Sequence, residues 1–241
     1  MSNLIIPNWP APARVRALAT TRQGGVSLAS WASFNLGQHS GDDMVAVQEN
    51  RRRLRVHLPD EPKWLSQLHG IQCVDAATVT TSVAADASFS RTPGVVCAVL
   101  TADCLPVLFC DEDATVVAAA HAGWRGLAAG VLESTLSAMQ VRPERVLAWL
   151  GPAIGPQAFE VGGEVRAEFC NRDPHAARAF AAKPNGKWLA DIYELARIRL
   201  AAAGIRRLTS TNWCTVTQAE QFFSYRRDGI TGRMASCIWL E

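Results

Sequence analysis

The chain has 241 residues, of which 49% are hydrophobic and 19% charged, a composition typical of a globular protein and not of a disordered one. Its 24 basic and 22 acidic residues give a net charge of +2 and are mixed along the sequence, which argues against a nucleic-acid partner and favours small-molecule ligands. No uninterrupted apolar run reaches membrane length, so we expect no membrane partner either.

The first residues and the cysteines indicate the compartment. Residues 1–12 carry no basic region ahead of their apolar residues, and three prolines interrupt any signal-peptide core. The seven cysteines are odd in number and irregularly spaced, which argues against a disulfide framework. We therefore expect a cytoplasmic protein whose cysteines are mostly buried thiols.

The predicted elements begin with a strand over residues 14–20, a Gly24-Gly25 turn and a loop through residues 35–37. A helix over residues 45–56 follows, with Asp42 as its expected N-cap. The basic run at residues 51–53 is most simply a solvated face of that helix.

The middle and end of the chain alternate between strand and helix patterns. Buried strands are predicted at residues 94–100, 107–110, 115–120 and 146–150. One helix is predicted from Gly123 to just before Pro143, and a second over residues 188–203, ending at Gly204. This order predicts an α+β fold, with a mixed β-sheet core flanked by outer helices and a single domain over residues 1–241.

The chain lacks a Walker loop, a GxGxxG fingerprint, an HExxH pair, a GxSxG elbow and a CxxC pair. The candidate functional residues are therefore the polar residues in segments whose other residues are predicted to form the core. His121 directly follows the apolar run TVVAAA and precedes Ala-Gly-Trp-Arg-Gly, a glycine-flanked helix start. With Arg125, this helix start could hold an anion, whereas a lone histidine there would be a hydrogen-bonded core residue.

Cys104 lies between two predicted buried strands, beside Asp103, whose carboxylate needs a partner in such surroundings. Cys104 alone would be interpreted as a buried packing residue. His69, before Gly70, is by itself weak evidence for a functional site. Together His69, Cys104 and His121 suit a catalytic zinc with an exchangeable fourth position. Their wide spacing rules out a finger-type site and fits ligands gathered from separate strands.

Seven segments of the sequence occur in the order found in the YfiH-type family, also named the laccase-domain or multicopper polyphenol oxidase family. They are TTRQGGVS, SFNLGQHSGDD, QLHG, LTADCLPV, AAHAGWRG, LGPAIGP and FFSYRRDGITGR. The resemblance runs from about Thr20 to Arg233, and the family's metal ligands match His69, Cys104 and His121.

The resemblance implies an α+β fold and a zinc-dependent purine nucleoside phosphorylase acting on inosine, adenosine, guanosine and methylthioadenosine. It also implies an adenosine deaminase side activity. Polyphenol oxidase is an older attribution, and family members have been linked to the editing of peptidoglycan precursors. The expected partners are a purine nucleoside and phosphate, and we expect a monomer.

Substrate contacts are predicted at three residues. Arg125 is the candidate for phosphate, and Arg22 and Asn35, from segments that resemble the family, are candidates for the nucleoside. Arg226 and Arg227 are weaker candidates, because surface arginines are usually only solvated.

Three alternatives stay open. A multicopper centre needs many imidazoles and the chain has five histidines, although a single copper could occupy the zinc site. A metal-free cysteine hydrolase would use Cys104 as a nucleophile activated by His69 or His121. A nucleotide- or precursor-binding protein would use zinc only for stability.

Overall fold

Two β-sheets pack face to face in the computed structural model, which describes residues 4–211 and 213–241. The strands are β1 (Leu4–Ile5), β2 (Val15–Thr20), β3 (Cys73–Asp75), β4 (Ala87–Ser90), β5 (Cys97–Thr101), β6 (Leu105–Asp111), β7 (Val117–Ala122), β8 (Val146–Leu150), β9 (Glu160–Val161), β10 (Phe180–Ala182), β11 (Trp188–Ala190), β12 (Arg207–Ser210) and β13 (Met234–Leu240). The α-helices are α1 (Met44–Arg55), α2 (Trp124–Ala129), α3 (Val131–Met139), α4 (Gly163–Cys170), α5 (Ile192–Ala202) and α6 (Tyr225–Asp228).

The first sheet has four antiparallel strands in the order β1-β2-β13-β5. In its centre, Cys237 of β13 lies opposite Leu18 of β2 and Ala98 of β5. The strand predicted at residues 14–20 is confirmed as β2. The chain leaves this sheet after β5 and enters the second sheet at β6, so residues 102–104 form the crossing between the two sheets.

The second sheet has six strands in the order β12-β8-β6-β7-β4-β3, antiparallel in its centre and parallel at both edges. The strand predicted at residues 146–150 is confirmed as β8. The other three predicted strands are present with bounds moved by a few residues, as β5, β6 and β7. A third, small antiparallel sheet joins β10, β11 and β9.

Alternating side chains of β6 supply two cores, as expected for a strand buried on both faces. Leu108 and Cys110 lie between the two large sheets, and Val107 and Phe109 face the core under α3 and α5. Leu54 of α1 packs on the outer face of the four-stranded sheet. The predicted α+β class, with mixed sheets and outer helices, is confirmed.

Both long helix predictions need correction. The helix predicted from Gly123 to before Pro143 divides at Gly130, whose φ of 112° is a left-handed conformation that glycine tolerates, so that α2 and α3 are separate. The helix predicted from residue 188 begins only at Ile192, because residues 188–190 pair as β11 and the Asp191 carboxylate caps the Glu194 N–H. No helix within the described ranges is long and apolar enough to cross a membrane.

The N-cap of α1 is Asp43 and not Asp42. The Asp43 side chain accepts a hydrogen bond from the Val45 N–H. Asp42 instead accepts hydrogen bonds from Ser27 and Asn35, which tie the helix start to the preceding loops.

Candidate metal centre and cleft

Three side chains from separate parts of the chain meet at one end of the two sheets. Cys104 lies in the crossing between β5 and β6, His121 is the penultimate residue of β7, and His69 lies in the loop before β3. Cys104 Sγ is 3.7 Å from His69 Nε2, and the two imidazole centroids are 4.8 Å apart. The potential ligand atoms of all three residues lie within 4.8 Å of one another.

One buried carboxylate orients both histidines. Asp86 precedes β4, the strand that pairs with β7, and is 1% exposed. Its Oδ1 lies 2.8 Å from His121 Nδ1 and accepts the His69 backbone N–H at 2.9 Å, while its Oδ2 accepts the N–H groups of Leu68 and Gly70. The contact to Nδ1 leaves the Nε2 of His121 as its available ligand atom.

The backbone around the three side chains has little spare room. His69 has a φ of 60°, a left-handed conformation held by the three N–H bonds to Asp86. A Cβ atom at Gly123 would lie 2.6 Å from His69 Cδ2 and 3.0 Å from Cys104 Sγ. Glycine is therefore required at position 123 so that the chain can pass behind two of the candidate ligands.

The electrostatics favour a thiolate. Burial by itself raises the pKa of the Cys104 thiol, but the charges and hydrogen bonds of His121 and His69 outweigh it and lower the pKa to about 6. Burial lowers the pKa of His121, whereas Cys104 and Asp86 outweigh burial and raise it. Such a thiolate is a ready metal ligand and also a potential nucleophile.

The donor set fits a transition metal. Two imidazoles and one thiolate converge, one imidazole is fixed by a carboxylate on its other nitrogen, and the centre opens into a cleft. Within the described residues, His57 and His175 lie on the exposed surface away from this centre, and His39 lines the cleft without joining the cluster. The histidines that a multicopper centre needs are therefore not gathered here.

The cleft beside the three ligands has a volume of about 890 Å³, which is within the usual range for a small-molecule site. One part of its wall is apolar and aromatic, formed by Trp124, Ile154, Phe159 and Ile192. The remaining wall is mixed and includes residues 37–40, 63–67 and 79–82, most of which are polar.

Four arginines line the cleft: Arg51, Arg125, Arg226 and Arg233. Three of them lie over aromatic rings, Arg51 on Trp64 at 4.2 Å, Arg125 on Trp124 at 4.4 Å and Arg226 on Phe159 at 5.5 Å. In the described part of the chain none of the four forms an ion pair with a carboxylate, whereas outer-surface arginines such as Arg52 and Arg53 do. The cleft is therefore suited to anionic ligands.

The residues predicted to contact substrate have different positions. Arg125 lines the cleft, as its predicted role requires. Arg22 and Asn35 lie outside the lining: the Arg22 guanidinium donates to the Ala32 and Ala219 carbonyls, and the buried Asn35 amide bonds Ser40 and Asp42. These two side chains hold loops together.

Arg226 and Arg227 differ from the solvated surface arginines expected from the sequence. Arg226 reaches the cleft, and its Nη1 donates to the Glu160 carbonyl. Arg227 donates to the carbonyls of Thr215, Val216 and Phe222 and pairs with Asp228, so it fixes the local chain. Asp103 finds its partners in this region, accepting from the Thr215 hydroxyl and the Arg226 N–H.

Asp86 and Arg233 are functional candidates that the sequence analysis does not identify. No sequence pattern identifies Asp86 as functional, because its hydrogen bond with His121 forms only when β4 pairs with β7. Arg233 stands at the end of the FFSYRRDGITGR segment, beside a glycine, and could have been singled out there. It packs against Gly37, where a Cβ atom would lie 2.6 Å from Arg233 Cγ.

Comparison with known proteins gives the family. Residues 16–241 match the family described as multi-copper polyphenol oxidoreductase laccase. The chain belongs to this family. Its relatives include the purine nucleoside phosphorylase YfiH of Escherichia coli, 57% identical over 246 residues with 100% of both chains covered, and a purine nucleoside phosphorylase of Pseudomonas aeruginosa, 54% identical over 242 residues with the same coverage. The crystal structure of Neisseria meningitidis protein NMB0706 superposes with a TM-score of 0.97 at 52% identity, covering 100% of both chains.

The family resemblance deduced from the sequence segments is thus confirmed. The relatives named as purine nucleoside phosphorylases are matched over the whole length of both chains, and the His69, Cys104 and His121 cluster is compatible with a bound metal. The names of these relatives imply small-molecule substrates for those proteins.

Proposed function

We propose that this protein is a zinc-dependent purine nucleoside phosphorylase, with His69, Cys104 and His121 as the metal ligands. The observation that carries the proposal is the convergence of these three donors at the wall of a cleft that also holds four arginines without an ion-paired carboxylate among the described residues. A thiolate and two imidazoles with a side open to substrate are typical of catalytic zinc, and copper is the alternative occupant. When bound, the metal supplies a Lewis acid next to the substrate.

In phosphorolysis a phosphate oxygen forms a bond to C1′ of the ribose while the glycosidic bond breaks. The bonding electron pair leaves with the purine, which takes up a proton. The protein must therefore hold a multiply charged anion beside a neutral, flat base. Arg125 and Arg226 supply positive charge next to the aromatic wall formed by Trp124 and Phe159, where the base can pack.

The anion site rests on side chains more than on a helix start. Because α2 has only six residues before Gly130, its dipole is short, and the contribution expected from a long helix beginning at Gly123 is reduced. Arg125, and Arg233 near Cys104, are the better candidates for phosphate. We infer that Arg22 and Asn35 act on the nucleoside only indirectly, by fixing loops behind the cleft.

Product analysis tests the proposal. Purified protein incubated with inosine and phosphate should release hypoxanthine and ribose 1-phosphate in equal amounts, and omission of phosphate should stop both. Adenosine should yield some inosine by deamination, which uses water and should survive without phosphate. Equal hypoxanthine release with and without phosphate would reject the phosphorylase assignment.

One observation favours a second candidate, a cysteine hydrolase. Cys104 contacts His121, and His121 contacts Asp86, as the nucleophile, base and orienting carboxylate of a cysteine hydrolase do. The pKa of the Cys104 thiol is also low. This enzyme would be fully active after metal removal. Loss of activity on chelation, with recovery on adding zinc, would exclude it.

A further inference from the structure

The cleft continues beyond the metal ligands to a second cationic end. The Lys63 backbone lies beside Cys97, where β5 begins, whereas Cys104 follows Thr101, where β5 ends. Four strand steps of about 3.3 Å separate the backbone at these two points by roughly 13 Å. The cleft, about 890 Å³ in volume, is large enough to hold a phosphate ion near Cys104 and a second anion near Lys63.

Arg51 lies at the Lys63 end of the cleft, and only part of its guanidinium is hydrogen-bonded to described residues. Its Nε donates to the Leu36 carbonyl at 3.0 Å and its plane lies over Trp64, while its two Nη groups have no hydrogen-bond partner in the described chain. Burial lowers the pKa of Arg51 to about 10, and Glu61 partly offsets this, so the side chain is charged at neutral pH. A half-buried cation with no ion-paired carboxylate in the described part of the chain favours an anionic ligand.

The neighbouring groups are also suited to a phosphate ester. Lys63 lines this end of the cleft and has no carboxylate partner within residues 4–211 and 213–241. The hydroxyl groups of residues 80–82 line it as well, and that segment is held nearby because the Ser66 N–H donates to the Val83 carbonyl. Glu61, the carboxylate at this end, is already engaged by Trp64 Nε1 at 2.8 Å.

We propose that Arg51 and Lys63 form a second anion subsite, separate from that of the phosphate cosubstrate, which binds the 5′-phosphate of a nucleoside monophosphate. The proposal rests on the proposed function for the placement of the nucleoside at the metal centre. It extends the ligand class from nucleosides to nucleotides, and it concerns binding alone. Both anions bind the cleft at the same time.

Calorimetric titration of the metal-loaded protein with inosine and with inosine 5′-monophosphate tests the subsite. We expect the monophosphate to bind at least about tenfold more tightly, and to keep this advantage in saturating inorganic phosphate. Arg51→Ala and Lys63→Ala should each reduce the affinity ratio of the two ligands towards one. Arg52→Ala is the matched control, because Arg52 is the next residue of α1, pairs with Glu49 and lies outside the cleft.

Three outcomes would overturn the subsite: equal affinity for the two ligands, loss of the advantage in inorganic phosphate, or an unchanged ratio in Lys63→Ala. The last variant keeps the test valid if Arg51→Ala fails to fold, since the Lys63 side chain makes no hydrogen bond or ion pair with any described residue. The two proposals fail separately. Phosphate-dependent cleavage of inosine without the monophosphate advantage rejects only the subsite, whereas the advantage without such cleavage rejects only the phosphorylase.

Discussion

The carboxylate of Asp86 lies 2.8 Å from Nδ1 of His121, and the same oxygen accepts the backbone N–H of His69. One side chain therefore sets the ring orientation of one candidate metal ligand and the backbone conformation of another. Since both are fixed before a metal arrives, binding need not order them.

Replacing Asp86 with asparagine should weaken metal binding. The amide has nearly the same shape but no charge, so it accepts from His121 less strongly and loses one acceptor for the N–H groups at residues 68–70. We expect a 10- to 100-fold loss of zinc affinity, measured by competition with a chromophoric chelator. Asp75→Asn, which alters only a local cap, is the control and should retain full affinity.

Removing a ligand should remove the metal. Protein purified without added metal should contain about one zinc per chain by elemental analysis, and Cys104→Ala or His121→Ala should contain almost none. His69→Ala should also lose it, unless solvent replaces the missing imidazole. His175→Ala removes an exposed histidine outside the cleft and should keep the full content. Full occupancy in the Cys104 and His121 variants would disprove the site.

Alkylation should reveal the Cys104 thiolate. With a pKa of about 6, Cys104 in metal-free protein is mainly thiolate above that pH and loses this form as the pH falls through it, whereas an ordinary cysteine needs a pH above about 8.5. Iodoacetamide labelling followed by mass spectrometry should therefore rise through pH 6 and level off near pH 7. Zinc should block the reaction.

The buried thiols of Cys97 and Cys110, whose pKa values burial raises to about 12, serve as internal references and should stay unlabelled. A labelling midpoint above pH 8 at Cys104 would contradict the lowering of its pKa by His121 and His69.

Gly123→Ala should damage the metal centre while leaving the fold intact. The added methyl group would press on His69 and Cys104, and the φ of −61° at this position suits alanine, so the harm comes from the side-chain collision. We expect at least about a tenfold loss of zinc affinity with an unchanged circular dichroism spectrum. Gly163→Ala, where a Cβ atom would meet no described residue within 4 Å, should behave as the unaltered protein.

Arg125→Ala should act on phosphate more than on the nucleoside. The side chain lines the cleft and has no carboxylate partner in the described chain, so its loss removes positive charge that phosphate would use. Steady-state kinetics should show the KM for phosphate rising about tenfold or more, with a smaller change for inosine. Arg142→Ala, an exposed arginine outside the cleft, provides the comparison. Equal changes in both KM values would indicate a remote or structural role.

The strands of the central sheet could be predicted because their apolar runs are long and end at glycine or proline, as at residues 146–150. Helix starts were harder, because Trp188 and Leu189 fit a helical spacing and are still drawn into β11 by pairing with β9. Local periodicity contains no information about such a distant partner.

The prediction of the site has the same limit, because local sequence patterns do not show distant partners. Cys104 and His121 adjoin apolar segments and could be found by inspection, whereas His69 is weak evidence alone and is supported by the family resemblance. Asp86 and Arg51 could not, because one acquires its role through the pairing of two strands and the other through a turn of α1 that brings it over Trp64. The arginine run that looked like a solvated face is divided: Arg52 and Arg53 pair with Glu49, while Arg51 enters the cleft.

The crossing at residues 102–104 carries the chain from the four-stranded sheet to the six-stranded one, whereas His121 lies within the second sheet. A metal held by Cys104 and His121 would therefore crosslink the place where the two sheets meet, resisting any sliding of one over the other. A ligand that binds only the native state shifts the unfolding equilibrium towards that state. Metal loading should therefore slow proteolysis where the two sheets meet more than proteolysis of distant loops. Metal occupancy would then indicate whether the two sheets have packed in their final register.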